Sequence, residues 1–171
     1  MWELFNPIDF EARALVQNVS GNITSLLEYL VLKMLTGNGI VVEALKMYIV
    51  DEMSPSTVAS KLGLSKHQIR GYAQRVVEKI GDFRKAFLVI SEVYDLLMRI
   101  KPIVSNYGHR KICMVCGREL STSGEDHVKR YHREVVEDYV YSILTILKIR
   151  VSKRMASRIH QMANTPSTSS L

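Results

Sequence analysis

The sequence predicts an all-α protein, and three observations lead to that expectation. Apolar residues recur at intervals of three and four along nearly the whole chain, which is the spacing of a helix face rather than the alternation of a strand. Turn-forming residues come in small clusters between these stretches. The 171 residues are 47% hydrophobic and 23% charged, as in globular proteins. We therefore expect packed helices with one short hairpin at most.

The first two predicted helices lie within residues 1–39, which we expect to serve packing or dimerisation. Asn6 and Pro7 can open a helix that reaches about Val19, where a Ser-Gly-Asn sequence breaks it. A second helix then runs to about residue 36, where Gly-Asn-Gly ends it. The broad apolar stripe of the second helix predicts a core or oligomer contact rather than a ligand site. The stripe consists of Leu26, Leu27, Leu30, Val31 and Met34.

Residues 40–81 contain three helical stretches joined by tight turns. The first stops before Ser54, which is a good N-cap, and Pro55 suits the first position of the next helix, where a backbone N–H is not needed. This short helix ends before Gly63. The third helix is expected over residues 66–80, directly after a serine.

Residues 55–74 resemble the twenty-residue helix-turn-helix of DNA-binding repressors and sigma-factor-like domains. Ala59 is small where the two helices press together, and Gly63 stands where the turn needs a left-handed backbone. The apolar positions of the motif are filled by Val58, Leu62, Leu64, Ile69 and Tyr72. The resemblance implies that the helix over residues 66–80 enters the major groove of double-stranded DNA.

The outward residues of that helix are basic or amide-bearing, with no acid between Ser65 and Arg75. They are Lys66, His67, Gln68, Arg70, Gly71, Gln74 and Arg75. Arginine can form two hydrogen bonds with guanine, and glutamine can do so with adenine. We therefore expect Arg70, Gln68 and Gln74 to read bases, and Lys66 and Arg75 to attract phosphate. His67 is equally typical of a plain exposed histidine, and the alternative for the whole face is an inert or protein-binding surface.

Residues 82–101 predict a long connecting helix that is closed by Pro102. Apolar residues at spacings of four and three indicate the seam of a helix pair. They are Phe83, Phe87, Ile90, Tyr94 and Leu97. Because one recognition helix covers few bases, helix-turn-helix proteins commonly bind as dimers. We therefore expect a homodimer formed through this helix or the N-terminal helices.

Residues 102–134 contain two cysteines followed by two histidines. The set Cys113, Cys116, His127 and His132 resembles the ligands of a Cys2His2 zinc finger. The alternatives are a redox cysteine pair and a chance pair of histidines, but a redox pair belongs at a helix start that follows a strand in an α/β protein. The resemblance implies one structural Zn²⁺, because four protein ligands leave no position for a reacting water.

The spacing of this motif departs from the usual finger. Ten residues instead of about twelve separate Cys116 from His127, and Leu120 stands where an aromatic is usual. His127 and His132 are about 140° apart on an ideal helix, so we expect a widened turn of π-bulge type between them. A makeshift core is expected from Ile112, Val128 and Tyr131.

A last long helix is expected to begin after Ser123 and to reach at least Arg150, with residues 135–162 as a C-terminal helix with a basic end and residues 163–171 as a disordered tail. Its inward residues are Val136, Val140, Ile143 and Leu147. Near the cysteines and histidines, a basic turn either contacts phosphate or is merely solvated. This turn is formed by Lys129, Arg130 and Arg133. A second basic run either clamps the DNA backbone or is a frayed end. It consists of Lys148, Arg150, Lys153, Arg154 and Arg158.

Charge is distributed unevenly along the chain. The net charge is +6, yet residues 1–40 carry two positive and four negative groups, against 21 and 13 in residues 41–171. The basic excess therefore belongs to the part with the motifs, which favours a polyanionic partner. No basic n-region of a secretory signal opens the chain and no apolar run is long enough to cross a bilayer, so we expect a cytoplasmic protein with no membrane partner.

These observations predict a DNA-binding protein, specifically a transcription regulator. The alternative is an adaptor that docks on transcription or replication machinery without sequence-specific DNA contacts. No acid pair, activated nucleophile or phosphate loop is evident, so an enzyme is not expected. Many Ile and Val, few Asn and Gln, and one finger beside a helix-turn-helix are similar in style to small archaeal and archaeal-virus regulators, which would act in the host cell if viral.

Overall fold

In a computed structural model of the protein, residues 21–163 are described, and they are mostly helical. Within that range the chain forms seven α-helices, one π-helical turn and one two-stranded hairpin. The elements are α1 Gly21–Leu35, α2 Gly39–Leu45, the π-helical turn Lys46–Val50, α3 Pro55–Leu62, α4 Lys66–Ile80, α5 Phe83–Leu97, β1 Val104–Tyr107, β2 Arg110–Cys113, α6 Gly124–Tyr131 and α7 Arg133–Ala163. The helix predicted over residues 6–19 and the tail from residue 164 onward lie outside the described residues.

Helix α1 lies at the centre of the main core. Its predicted stripe is buried and contacts α4 and α7 most extensively, with α5 and α6 also packed against it. The stripe therefore packs within one chain, as the apolar spacing predicts for a core helix. None of the described helices is both long and apolar enough to cross a membrane.

The turns around α3 follow their local sequence signals. The Ser54 hydroxyl accepts a hydrogen bond from the Thr57 backbone N–H at 3.1 Å, and Pro55 is the first residue of the helix. Gly63 ends α3 with φ of 66°, a left-handed conformation that glycine adopts at little cost. The predicted bounds of this helix are therefore confirmed.

Helix α4 begins with a reciprocal capping box. The Ser65 hydroxyl accepts from the Gln68 N–H at 3.2 Å, and the Gln68 side-chain oxygen accepts from the Ser65 N–H at 2.9 Å. A small apolar cluster then joins α4 to α2 and α3. Its buried members are Ala44, Val58, Ala59 and Ile69. The three helices are thus joined by tight turns around their own cluster.

Helix α5 is shorter than predicted, and a different side of it faces the core. It ends at Leu97 rather than near Pro102. Phe83 and Phe87, two residues of the predicted seam, are 43% and 37% exposed. The helix instead buries Ala86, Val89, Ile90, Val93 and Leu97. The predicted seam is wrong in its first half, because the side that faces the core of the same chain contains Ala86 and Val89 rather than the two phenylalanines.

Strands β1 and β2 form an antiparallel hairpin that ends at the first cysteine, in agreement with the one short hairpin expected. Val104 pairs with Cys113 at the open end, and Tyr107 pairs with Arg110 at the turn. The Ile103 N–H donates to the Leu35 carbonyl at 2.8 Å, which attaches the hairpin to the C-terminal end of α1. The hairpin therefore delivers Cys113 to a fixed place beside α1.

Helix α7 packs along α1 and α5, and all four predicted inward residues are buried. Two members of the basic run make ion pairs with α5. Arg150 donates to both carboxylate oxygens of Asp95, at 2.7 and 2.8 Å, and Arg154 pairs with Glu92. Both arginines therefore belong to a formed helix rather than to a frayed end. Contact of this basic run with the DNA backbone stays a prediction.

Candidate metal centre and nucleic-acid interface

The four predicted metal ligands converge. The candidate ligand atoms of Cys113, Cys116, His127 and His132 all lie within 4.8 Å of one another. Cys113 Sγ is 3.3 Å from His132 Nε2, and Cys116 Sγ is 3.4 Å from His127 Nε2. Metal bonds of about 2.3 Å to sulfur and about 2.0 Å to nitrogen place tetrahedral ligand atoms at about these separations. The cluster can therefore bind one metal ion.

The two cysteines are positioned by a tight turn that follows β2. The Gly117 N–H donates to the Cys113 carbonyl at 2.8 Å, and the Cys113 N–H donates to the Arg118 carbonyl at 2.9 Å. Gly117 has φ of 70°, which permits this reversal. An antiparallel bridge between Ile112 and Glu119 joins the two sides of the turn. The backbone thus holds both thiols on one side.

The two histidines come from α6 and from the residue that ends it. The Ser123 hydroxyl accepts from the Asp126 N–H at 3.1 Å and caps α6, as predicted. His132 has φ of −136° and ψ of 38°, so the helix stops there and α7 begins at Arg133. The predicted π-bulge between His127 and His132 is wrong, as is the single long helix from Ser123. A break in the helix, rather than a widened turn, brings the second imidazole to the first.

Burial and charge around the cluster suit metal binding. His127, His132 and Cys113 are buried, whereas Cys116 is exposed. Burial, with smaller contributions from His132 and Arg118, lowers the pKa of His127 and favours the neutral imidazole that a metal requires. No disulfide joins Cys113 to Cys116. Three ligands are shielded from solvent, and Cys116 forms the exposed side of the cluster.

The makeshift core predicted around the metal site is only partly present. Val128 is fully buried and belongs to the main core, and Leu120 and Ile112 are half-buried. Tyr131 is 49% exposed, and its ring lies 4.8 Å from the Arg118 guanidinium. Tyr131 is thus not buried, but its ring centre lies 5.1 Å from that of His127, so it covers one of the candidate ligands. Few apolar side chains surround the four ligands.

The predicted outward face of α4 is exposed. Ile69, Ala73, Val76 and Ile80 are buried on the opposite side of the helix. Lys66, His67 and Arg70 are exposed and have no hydrogen-bond or ion-pair partner within residues 21–163. These side chains are available to an external ligand.

Two glutamines on this face have partners within the helix. Gln68 belongs to the capping box, and Gln74 donates to the Glu78 carboxylate at 2.9 Å. Glu78 lies one turn beyond Gln74, outside the acid-free interval of the sequence. These bonds restrict the orientation of both glutamines but leave each a donor and an acceptor site, so base reading by them stays a prediction.

The basic residues near the metal site differ in their surroundings. Lys129 and Arg130 are exposed on α6. Arg133 pairs with Glu137 at 2.6 Å, and this hydrogen bond, with Glu28 contributing less, raises its pKa. The charge of Arg133 is therefore partly neutralised, whereas Lys129 and Arg130 have exposed charges that an external ligand could contact.

A cluster around Tyr29 joins α1, α4 and α6, and sequence reasoning missed it. Lys33 lies 5.1 Å and Lys79 5.6 Å from the centre of the Tyr29 ring, and Lys33 also pairs with Glu125. Burial raises the pKa of Tyr29, and nearby Arg75 opposes that shift. Tyr29 is 8% exposed, and its buried hydroxyl has Arg75 as a nearby donor but makes no hydrogen bond of ordinary geometry among the described residues. The only sequence signal was a polar residue beside the apolar stripe of α1.

No protein-family model, curated protein or solved structure matches this chain. The functional assignment therefore depends on the geometry of these two regions.

Proposed function

We propose that the protein binds double-stranded DNA as a transcription regulator and that α4 enters the major groove. The observation that supports this most strongly is the exposed basic face of α4, on which Lys66, His67 and Arg70 have no partner among the described residues. The groove is wide enough to admit a helix, and arginine is the side chain that most often reads guanine there. The tight turn at Gly63 and the cap at Ser65 fix the direction of α4.

Arg70 is the first candidate for reading a base. Gln68 keeps its side-chain NH₂ group available while its oxygen caps the helix, and Gln74 keeps its oxygen available while its NH₂ group bonds to Glu78. Each side chain therefore keeps at least one donor and one acceptor site, although its existing bond restricts its orientation. Lys66 and Arg75 supply attraction to phosphate that does not depend on sequence.

The metal in this proposal is one zinc ion in a structural role. Two thiolates and two imidazoles are a preferred zinc ligand set and complete its tetrahedral shell, so no position is left for a substrate. The ion, when bound, neutralises the thiolates and links the cysteine turn to α6. No catalytic step is assigned to the protein.

A homodimer remains part of the proposal, since two copies of α4 can read two half-sites. The apolar sides of α1 and α5 are used within one chain, so the dimer would use other surfaces. An archaeal or archaeal-virus source is a hypothesis that rests on sequence style alone.

The test is selection of bound duplexes from random DNA with metal-loaded protein and with protein treated with a chelator. We expect enrichment of a short G-containing motif, repeated at half-site spacing if the protein is a dimer. Recovery of a random pool by the metal-loaded protein would contradict sequence-specific binding.

The second candidate function is that of an adaptor that binds a protein. Met114 and Val115 support it, because these apolar side chains are exposed at the tip of the cysteine turn. A salt titration separates the two functions, since DNA binding weakens steeply between about 50 and about 200 mM salt and an apolar protein interface responds little.

A further inference from the structure

We propose that α6 extends the DNA-binding surface of α4, and that Arg75, Lys79 and Lys129 form a phosphate-binding edge around Tyr29. We call this surface the α4–α6 edge. Its ligand is the DNA backbone beside the groove that α4 occupies, so the inference rests on the proposed function. The inference goes beyond the proposed function in two ways. DNA contacts α6 as well as α4, and the affinity for DNA depends on the metal.

Helices α4 and α6 contact neighbouring residues of α1, namely Tyr29 and Lys33. Lys79 of α4 lies 5.6 Å from the centre of the Tyr29 ring, and Arg75, one turn earlier, is near the phenol oxygen. From the other side, Glu125 of α6 pairs with Lys33, whose ammonium group is 5.1 Å from the same ring. Tyr29 therefore marks the place where the two helices are neighbours.

The direction of α6 brings Lys129 to this place. Along α6 and the start of α7, successive residues lie beside earlier and earlier residues of α1. Gly124 is next to Thr36, which follows α1, and Glu125 pairs with Lys33. Arg133 interacts electrostatically with Glu28. Helix α6 thus runs antiparallel to α1, and residue 129 lies level with the middle of α1, near Tyr29. Lys129 is four residues after Glu125, so the two side chains lie on the same side of α6, the side on which Glu125 pairs with Lys33 of α1.

Arg130 lies on the other edge of the same helix. Successive residues of a helix differ by about 100° in direction, so Arg130 points about 140° away from Glu125. It is exposed and has the same charge as Lys129. Substitution of Arg130 is therefore a matched control for substitution of Lys129, since it removes the same charge from a different side of α6.

The cluster around Tyr29 has more hydrogen-bond donors than acceptors. Arg75 and Lys79 of α4 lie beside Tyr29, and Lys129 is exposed on α6. Of the nearby acids, Glu125 is paired with Lys33 and Glu78 accepts from Gln74. None of Arg75, Lys79 and Lys129 has an ion pair among the described residues, so a phosphate oxygen at the surface would supply their acceptor.

The metal site controls one part of this edge. Helix α6 is fixed at its far end by His127 and His132, whereas Arg75 and Lys79 belong to α4, which has its own cap and apolar cluster. The contribution of Lys129 to DNA binding should therefore require the metal, and that of Lys79 should not.

The experiment measures fluorescence anisotropy of a labelled random-sequence 30-bp duplex with the full-length protein at several salt concentrations. We expect Lys79→Ala and Lys129→Ala each to weaken binding about three- to tenfold, and to lower the slope of log affinity against log salt by about one. Arg130→Ala should change affinity less than about twofold, and Lys129→Arg should restore binding. After chelation, Lys129→Ala should have no further effect, whereas Lys79→Ala should keep its effect.

The inference is overturned if Lys129→Ala and Arg130→Ala behave alike, or if affinity falls without a change in the salt slope. In that case the proposed function still stands, provided the wild-type protein binds the duplex. Absence of any duplex binding by the wild-type protein would overturn both. Circular dichroism of each variant checks that the fold is retained.

Discussion

The α3–α4 unit and the metal-binding segment, residues 103–132, are stabilised in different ways. The α3–α4 unit has two capped helices and an apolar cluster centred on Ile69. The metal-binding segment has a short hairpin, an eight-residue helix and few buried apolar side chains, but four potential metal ligands converge in it. Apolar burial and helix caps therefore hold the first region, whereas in the second a group of residues that could bind one metal ion lies where apolar packing is sparse.

Loss of the metal should have the largest effect. Because few other interactions hold α6 to the cysteine turn, chelation or His132→Ala should destabilise this segment on the order of 5 kcal/mol. Thermal melts and hydrogen exchange measure the effect, and exchange should rise in β2 and α6 before α4. The control is His109→Ala, an exposed histidine of the hairpin turn. Equal exchange with and without chelator would contradict this account.

Truncation of the apolar cluster should have the next largest effect. Ile69→Ala removes a fully buried side chain and should lower the free energy of unfolding by about 3 kcal/mol. The loss should be the same in metal-loaded and in chelated protein, because the cluster contains no residue of the metal-binding segment. Ile159→Ala, at an exposed position of α7, is the control. Denaturant unfolding measures both, and a loss that disappears on chelation would show that the two regions are not independent.

Two glycines allow a matched comparison of the regions. Gly63 and Gly117 both have left-handed backbones, and no atom lies within 4 Å of a Cβ built on either. Replacement of either by alanine therefore adds backbone strain of about 1 kcal/mol and no clash. Gly63→Ala should lower stability with or without metal, whereas Gly117→Ala should lower it only in the metal-loaded protein. Equal effects of Gly117→Ala in both states would contradict the dependence of this turn on the ion.

The ion pair between α5 and α7 should have the smallest effect. The hydrogen bond from Arg150 lowers the pKa of Asp95, so the pair stabilises the fold above the usual aspartate pKa of about 3.9 and loses that contribution as the pH falls. Asp95→Asn should cost under about 1 kcal/mol at pH 7, because both side chains are partly exposed. Urea unfolding at pH 7 and pH 3 measures this difference. A larger cost at pH 3 would contradict the assigned role.

The two regions differ in how much of their structure could be predicted from the sequence. Interactions between residues close together in the chain could be predicted, whereas those between distant residues could not. The helix bounds of α3 and α4 depend on Ser54, Gly63 and Ser65, whose signals act within three or four residues. They could therefore be predicted almost to the residue. The convergence of the four candidate metal ligands could also be predicted, because their residue types and spacing are specific.

The backbone that joins the ligands could not be predicted in the same way. The helix breaks at His132, and this break brings the His132 imidazole to Cys113, 19 residues earlier in the chain. No residue near position 132 is a helix-breaking signal that could predict it. The exposure of Phe83 and the cluster around Tyr29 depend on which helices become neighbours. Such contacts are set by the whole fold, so local periodicity does not determine them.

The central claim is that α4 reads DNA through its exposed basic face. The most direct measurement compares wild-type and Arg70→Ala proteins on the selected duplex and on a scrambled duplex of the same composition. The account predicts a loss of about 1 to 3 kcal/mol for the variant on the selected duplex and relaxed preference at one base pair, with little change on the scrambled one. Equal affinity and unchanged base preference of the two proteins would contradict it.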